Sequence, residues 1–285
     1  MILVTGASGI VGYEIASLFA DKGENVIFQG FRNISDGFIA VDLTDEDEVC
    51  KLFSAYDITT VIHAAAAIPA GAIKDHFDIY KANMQIAINL SRFCKKKTGF
   101  INISSTAIYN LQGSARLSEN GDIKCDTLYQ LSKKHSEELF LLNFGDSFLN
   151  IRISSPYSMT RENSSILYRF IKKAASGEPI TLWGSGQRTQ AFTNVHSLAK
   201  DLYFLYKQNT TGNYNYVTTN SISMLDLAYE VAAVFNSGSV VLTGQEDPEE
   251  YCRTSISTDK ILNMLQLTDT LNTDIAAIAD RIKRA

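Results

Sequence analysis

Thr5-Gly6-Ala7-Ser8-Gly9-Ile10-Val11-Gly12 is the stretch that decides the fold. It follows the short apolar run Ile2–Thr5 and opens Ile10–Asp21, where Ile10, Ile15, Leu18 and Phe19 can share one helical face. Strand, glycine turn and helix in that order form a cradle for phosphate. Gly6 permits the tight turn, Gly9 lets backbone approach a pyrophosphate, and Gly12 lets helix and strand pack closely. The helix N-terminus adds unpaired N–H groups and the positive end of its dipole. An ordinary turn needs one glycine, not three at this spacing.

Outward from the turn, short apolar runs alternate with helical patterns. Residues 25–29, 38–41, 59–63, 99–103 and Phe148–Ile153 read as strands. Residues 45–55, 74–97 and 127–144 have helical spacing, the first with acids where the helix dipole favours them. The strands are continuously apolar rather than alternating, as a parallel sheet covered on both faces requires. The expectation is an α/β protein with a Rossmann-type doubly wound parallel sheet and right-handed crossovers. After Ile153 the pattern loosens, punctuated by Pro156, Pro179 and Trp183-Gly184-Ser185-Gly186, with helical stretches near 164–177, 197–208 and 223–235. Residues 1–155 are expected to form a dinucleotide-binding domain. Residues 156–285 are expected to form a smaller substrate-binding lobe with segments returning to the main sheet, and 245–250 a solvated acidic loop.

Composition excludes several classes. The 285 residues suffice for one large domain or two small ones. A net charge of -5 argues against nucleic acid as partner. No apolar run approaches the roughly 18 residues of a membrane span. Met1 runs straight into Ile2-Leu3-Val4 with no basic n-region, so no signal peptide is expected and the cytoplasm is the expected location. Cys50, Cys94, Cys125 and Cys252 are scattered, as are His63, His76, His135 and His196. That spacing supports neither a disulfide framework nor a metal site, and suits reduced thiols in a cytosol.

Tyr129-Gln130-Leu131-Ser132-Lys133 sets a phenol and an ammonium one turn apart on one helical face. A nearby ammonium favours phenolate and lowers the tyrosine pKa, which suits proton exchange with a hydroxyl or carbonyl. Spacing alone proves little, because Tyr168…Lys172 and Tyr203…Lys207 repeat it; those two read as ordinary amphipathic faces. Context separates Tyr129. It follows the strand ending Ile103-Ser104-Ser105, and sites in open α/β sheets lie beyond the carboxyl ends of strands.

Together these residues resemble the extended short-chain dehydrogenase/reductases, the branch of nucleotide-sugar epimerases, dehydratases and ketoreductases. The resemblance covers nearly the whole chain. Residues 5–12 look like the cofactor fingerprint, and Asp42-Leu43 like the adenine-contacting pair. His63-Ala64-Ala65-Ala66 looks like the segment beneath the cofactor, and Asn83 opens an Asn-containing helix pattern. Ser104-Ser105-Thr106-Ala107-Ile108-Tyr109 is similar to the Ser-Ser-x-x-Val-Tyr segment. By resemblance Tyr129 is the acid/base, Lys133 tunes it and holds the nicotinamide ribose, and Ser105 orients the substrate oxygen. His63 itself reads as a packed core histidine. The family often forms a homodimer through the helices at 74–97 and 127–144, and a dimer is expected here on that ground.

Two departures bear on specificity. Members that prefer NAD usually end the second strand with an acid; here the strand runs Phe28-Gln29-Gly30-Phe31-Arg32. Arg32 suits a 2′-phosphate, so NADP is expected, with NAD the alternative. A reductase of a nucleotide-linked keto-sugar therefore leads an epimerase or dehydratase with retained NAD, and a non-catalytic dinucleotide sensor comes last. In the substrate lobe the usual Arg-Asp-Phe is Gln190-Ala191-Phe192, and the usual Asn-Val-Tyr-Gly-Pro is Ser155-Pro156-Tyr157-Ser158-Met159. Ser155, Arg188 and Gln190 are the candidate substrate contacts, Arg188 replacing the lost charge.

Overall fold

Short β-branched and apolar runs become strands, and the amphipathic stretches between them become helices, in a computed structural model. It describes residues 1–31, 36–69, 77–112, 115–235, 239–250 and 252–284. In chain order the elements begin β1 (Ile2–Thr5), α1 (Ile10–Asp21), β2 (Val26–Gly30), β3 (Ile39–Ala40), α2 (Glu46–Ala55), β4 (Thr60–His63) and α3 (Phe77–Phe93). They continue β5 (Gly99–Ser105), a 3-10 turn (Thr106–Ile108), β6 (Arg116–Leu117), α4 (Leu128–Phe144) and β7 (Phe148–Ile153). Then come β8 (Pro156–Tyr157), α5 (Ile166–Ala175), β9 (Ile180–Leu182), β10 (Thr189–Asn194), α6 (Val195–Lys207), β11 (Gly212–Tyr216) and β12 (Thr219–Ser223). The chain ends with α7 (Met224–Phe235), β13 (Val240–Leu242), β14 (Ser255–Ile256), α8 (Asp259–Leu262) and α9 (Leu271–Arg284). The expected start of the third helix at Lys74 lies outside the described residues.

Local chemistry sets the helix starts. Asp45 accepts the Glu48 N–H at 3.0 Å, and three acids follow in the first turn of α2. A Thr127–Gln130 capping box opens α4. Among the described residues, no helix is long and apolar enough to cross a membrane.

The chain divides into two units. The first comprises residues 1–109, 123–152 and 198–214; the second comprises 110–122, 153–197 and 215–285. Residues 198–214 return to the first unit, whereas 110–122, on the N-terminal side of position 155, fall in the second. The large sheet has seven strands in the order β11-β7-β5-β4-β1-β2-β3. The pairs from β3 through β2, β1 and β4 to β5 are all parallel. From β1 the chain moves outward to β2 and β3, then returns to β4 on the other side. That reversal creates a switch point at the carboxyl end of β1, where such sheets bind ligands.

The first unit's core packs Leu3, Ile27, Val61, Leu90 and an aromatic group on α4, β5 and β7. Phe100 stacks on Phe144 with ring centroids 4.3 Å apart. Truncating such a side chain to alanine costs about 3–5 kcal/mol. The second unit's core joins α5, α7 and α9 through Leu167, Ile171, Leu227, Val231, Ile275 and Ile278. Helix α9 goes beyond the elements read from sequence.

Candidate active site

The glycine turn leaves β1 at the switch point. Gly6 has φ +66°, and a Cβ there would lie 2.7 Å from both Cα and N of Ala65. Only glycine lets the turn rest on the segment after β4. A Cβ at Gly12 would overlap the Gly6 carbonyl oxygen, so α1 reaches the turn only without one. Gly9 is exposed at the N-cap of α1, flanked by half-buried Ser8 and Ile10. The first-turn N–H groups of a helix have no intrahelical acceptor. A groove of about 580 Å³ opens there, lined by Gly6, Ser8, Gly9, Asp42, Leu43, Ala64 and Ala65, among others. The crowded glycines and open helix end fit a dinucleotide's phosphates.

Other expected cofactor residues are held by their neighbours. Asp42 Oδ1 accepts from Thr44 N at 2.9 Å and Thr44 Oγ1 at 2.7 Å. Leu43 is buried, and its carbonyl accepts from Asn89 Nδ2 at 2.9 Å. Asn83 braces the backbone rather than lining the groove: Oδ1 accepts the Ala67 N–H at 2.7 Å, and Nδ2 donates to the Ala67 carbonyl and to Ser132 Oγ, each at 3.0 Å. His63 is in the core. Its Nδ1 meets Thr5 Oγ1 at 2.8 Å and its ring stands edge-on to Phe140. Burial, with the Lys133 charge second, drives its pKa down to about 3, so the imidazole stays neutral. Arg32 lies outside the described residues.

Gln29 is a groove residue that sequence reasoning passed over. Its side chain turns inward, accepting the Gly6 N–H and donating to the Gly30 and Val41 carbonyls at 3.0 and 2.7 Å. A lone polar residue ending an apolar strand was the available signal.

Ser105, Tyr129 and Lys133 come together in the same unit. Ser105 ends β5, and its Oγ accepts the Ala107 N–H at 3.1 Å. Its hydroxyl lies close enough to the Tyr129 phenol to favour the phenolate. Lys133, one turn along α4, is buried and donates from Nζ to the Ile103 carbonyl at 2.9 Å. Burial raises the Tyr129 pKa above its ordinary value, opposed by the Ser105 hydroxyl. The lowering expected from Lys133 does not appear: desolvation of the phenolate sets the direction. Burial also lowers Lys133, to about 8, with Glu137 acting against it.

The other two Tyr…Lys pairs serve packing. Buried Tyr168 donates to the Ser158 carbonyl at 2.6 Å, and Lys172 pairs with Glu162. Tyr203 and Lys207 both reach Glu24.

In the second unit, Gln190 Nε2 donates to Ser155 Oγ, which joins two of the expected substrate contacts. Ser155 has φ +29°, a strained backbone for a side-chain-bearing residue. Arg188 is committed to carboxylates, Glu249 and, at 3.3 Å, Asp247. Ser185 is bound by Glu250. Residues 245–250 are largely exposed, as expected, but differ from a free loop in that their acids also clasp the Trp183–Arg188 loop. Opposite charges 59 or more residues apart in sequence explain the difference.

The sequence profile of the NAD dependent epimerase/dehydratase family matches residues 2–217. An uncharacterised UDP-glucose epimerase, YtcB, of Bacillus subtilis (strain 168) is 27% identical over 228 residues, 70% of this chain and 71% of its own. A dTDP-4-dehydro-6-deoxy-D-allose reductase of a Streptomyces species is 26% identical over 263 residues, 82% of this chain and 80% of its own. The UDP-glucose 4-epimerase of Thermus thermophilus, solved in complex with NAD, superposes with a TM-score of 0.83 at 19% identity, covering 100% of this chain and 99% of that one. The chain belongs to the NAD dependent epimerase/dehydratase family, within the extended short-chain dehydrogenase/reductases, and is a nicotinamide dinucleotide-binding enzyme of that class.

Proposed function

We propose that the protein is an oxidoreductase that uses NADPH to reduce a nucleotide-linked keto-sugar. The observation that carries this reading is the convergence of Ser105, at the carboxyl end of β5, with Tyr129 and buried Lys133 of α4, whose Nζ donates to the Ile103 carbonyl of the same strand, in the unit that holds the groove. The nicotinamide supplies the hydride when bound. Gly6, Ser8, Gly9, Ile10 and Gly12 would hold the phosphates, Asp42 and Leu43 the adenine, and Ala64 and Ala65 the face beneath. Ser105 orients the substrate carbonyl oxygen. Tyr129 donates the proton that this oxygen needs as it becomes a hydroxyl. Lys133 holds the ribose and stabilises the phenolate left behind.

Burial raises Tyr129 and keeps it a phenol, able to donate a proton. The preference for NADP is supported by Arg32 and by the lack of an acid where β2 ends, both read from the sequence. Ser155 and Gln190 are the substrate contacts in this reading, with Arg188 held by Glu249 and Asp247 instead, and the reductase relative supports a nucleotide sugar. A homodimer through α3 and α4 is supported by Phe77, Ile88, Leu141 and Leu142, which stand exposed on those helices. A cytoplasmic location is in keeping with four free cysteines.

The UDP-glucose epimerase relative favours a second reading, epimerisation with retained NAD. NADPH consumption with UDP- and dTDP-linked 4-keto sugars separates the two. The proposal expects net oxidation of NADPH, lost by about 10²–10⁴-fold in Tyr129→Phe. Interconversion of UDP-hexoses without net cofactor consumption would replace it with the epimerase.

A further inference from the structure

Helix α4 buries a charged pair one turn beyond Lys133. Glu137 and Arg152 of β7 are 4% and 3% exposed. Arg152 donates from Nε to Glu137 Oε1 at 3.0 Å and from Nη2 to Oε2 at 2.8 Å. Its Nη1 donates to the Tyr109 hydroxyl at 2.7 Å. Tyr109, buried, closes the 3-10 turn that starts from Ser105, donating its N–H to the Thr106 carbonyl at 3.2 Å. One fork thus joins β7, the turn behind Ser105, and the helix that carries Tyr129 and Lys133.

A buried ion pair is a poor source of stability, since apolar replacements are often neutral or better. Its value here lies in where it fixes a carboxylate. Residues 133 and 137 are i and i+4, with Cβ atoms about 5–6 Å apart on one helix face. Lys133 has lost its water, which favours the neutral amine. The groups around it are Tyr129 and Glu137 on α4, neutral His63 from β4, and the Ile103 carbonyl from β5. Of these, Glu137 is the one that favours the ammonium through its charge; Arg152 enters by holding Glu137.

We propose that Glu137, clamped by Arg152, is a positioning residue that keeps the buried Lys133 ammonium charged. This rests on the role given to Lys133 above. A charged Lys133 can stabilise the Tyr129 phenolate after proton transfer; a neutral amine cannot.

The test reads Lys133 directly, without substrate. Protein labelled with carbon-13 at lysine Cε is titrated by NMR, and the Lys133 signal is identified by its loss in Lys133→Met. The wild-type midpoint is expected at about 8. In Glu137→Gln it should fall by about one pH unit or more. A folded Glu137→Gln with the wild-type midpoint overturns the proposal. Should that variant fail to fold, the double variant E137M/R152M, which leaves neither charge buried alone, takes its place under the same two outcomes. Failure of the catalytic reading shows separately, as full turnover in Tyr129→Phe, and leaves the titration interpretable.

Discussion

Gln29 accepts the Gly6 N–H on its side-chain carbonyl at 2.9 Å and the Ala7 N–H on its backbone carbonyl at 2.8 Å. One residue of β2 thus holds two successive amides of the glycine turn, while its amide nitrogen ties Gly30 to Val41. The turn is shaped by its own glycines and fastened from the neighbouring strand.

Gln29→Leu keeps the volume and removes the fastening. Each buried group left without its partner costs about 1–3 kcal/mol. The variant should melt earlier and bind dinucleotide more weakly, as read by thermal denaturation and nicotinamide fluorescence. Wild-type affinity in a folded Gln29→Leu would show that the turn needs no brace.

Gly12→Val forces side-chain atoms into the Gly6 carbonyl. Overpacking of this kind costs about 1–3 kcal/mol. Because the strain falls on the turn, dinucleotide affinity should fall along with stability. Calorimetric titration of the folded variant checks this, and unchanged affinity would count against the phosphate cradle.

His63 makes the fold acid-sensitive. Its folded pKa of about 3 lies below the ordinary 6.5. The unfolded chain takes up a proton as the pH falls through about 6.5, and the folded chain does not. The contribution is therefore complete above that pH and is lost as the pH falls toward about 3. Going from about pH 7 to about pH 5 should cost about 2 kcal/mol. Denaturant melts at both values should show a smaller difference in His63→Gln. An equal difference in the variant would assign the acid sensitivity to other groups.

The legible parts of the chain were those that backbone sterics dictate. The glycine turn was readable because Gly6 and Gly12 admit no Cβ, and the parallel sheet because its strands are apolar on both faces. Ser105, Tyr129 and Lys133 were readable from a strand end and a helical interval. The interval alone was not enough, as Tyr168 and Lys172 demonstrate by serving the core and a surface ion pair. What escaped depends on rotamers and on partners distant in sequence. The inward amide of Gln29 is one such case. Glu137 looks like any helix-surface acid until β7 brings Arg152 against it. Asp247 and Glu249 look unpaired until Arg188 reaches them. The burial that raises Tyr129 is likewise a property of the packed unit, not of its five-residue motif.

The most direct test is fluorescence titration of the purified protein with NADPH and with NADH, after assay for any cofactor carried through purification. The account predicts exchangeable NADPH binding, tighter than that of NADH, with the advantage lost in Arg32→Ala. NAD retained through purification, with little binding of added NADPH, would contradict it and make the protein an epimerase or dehydratase.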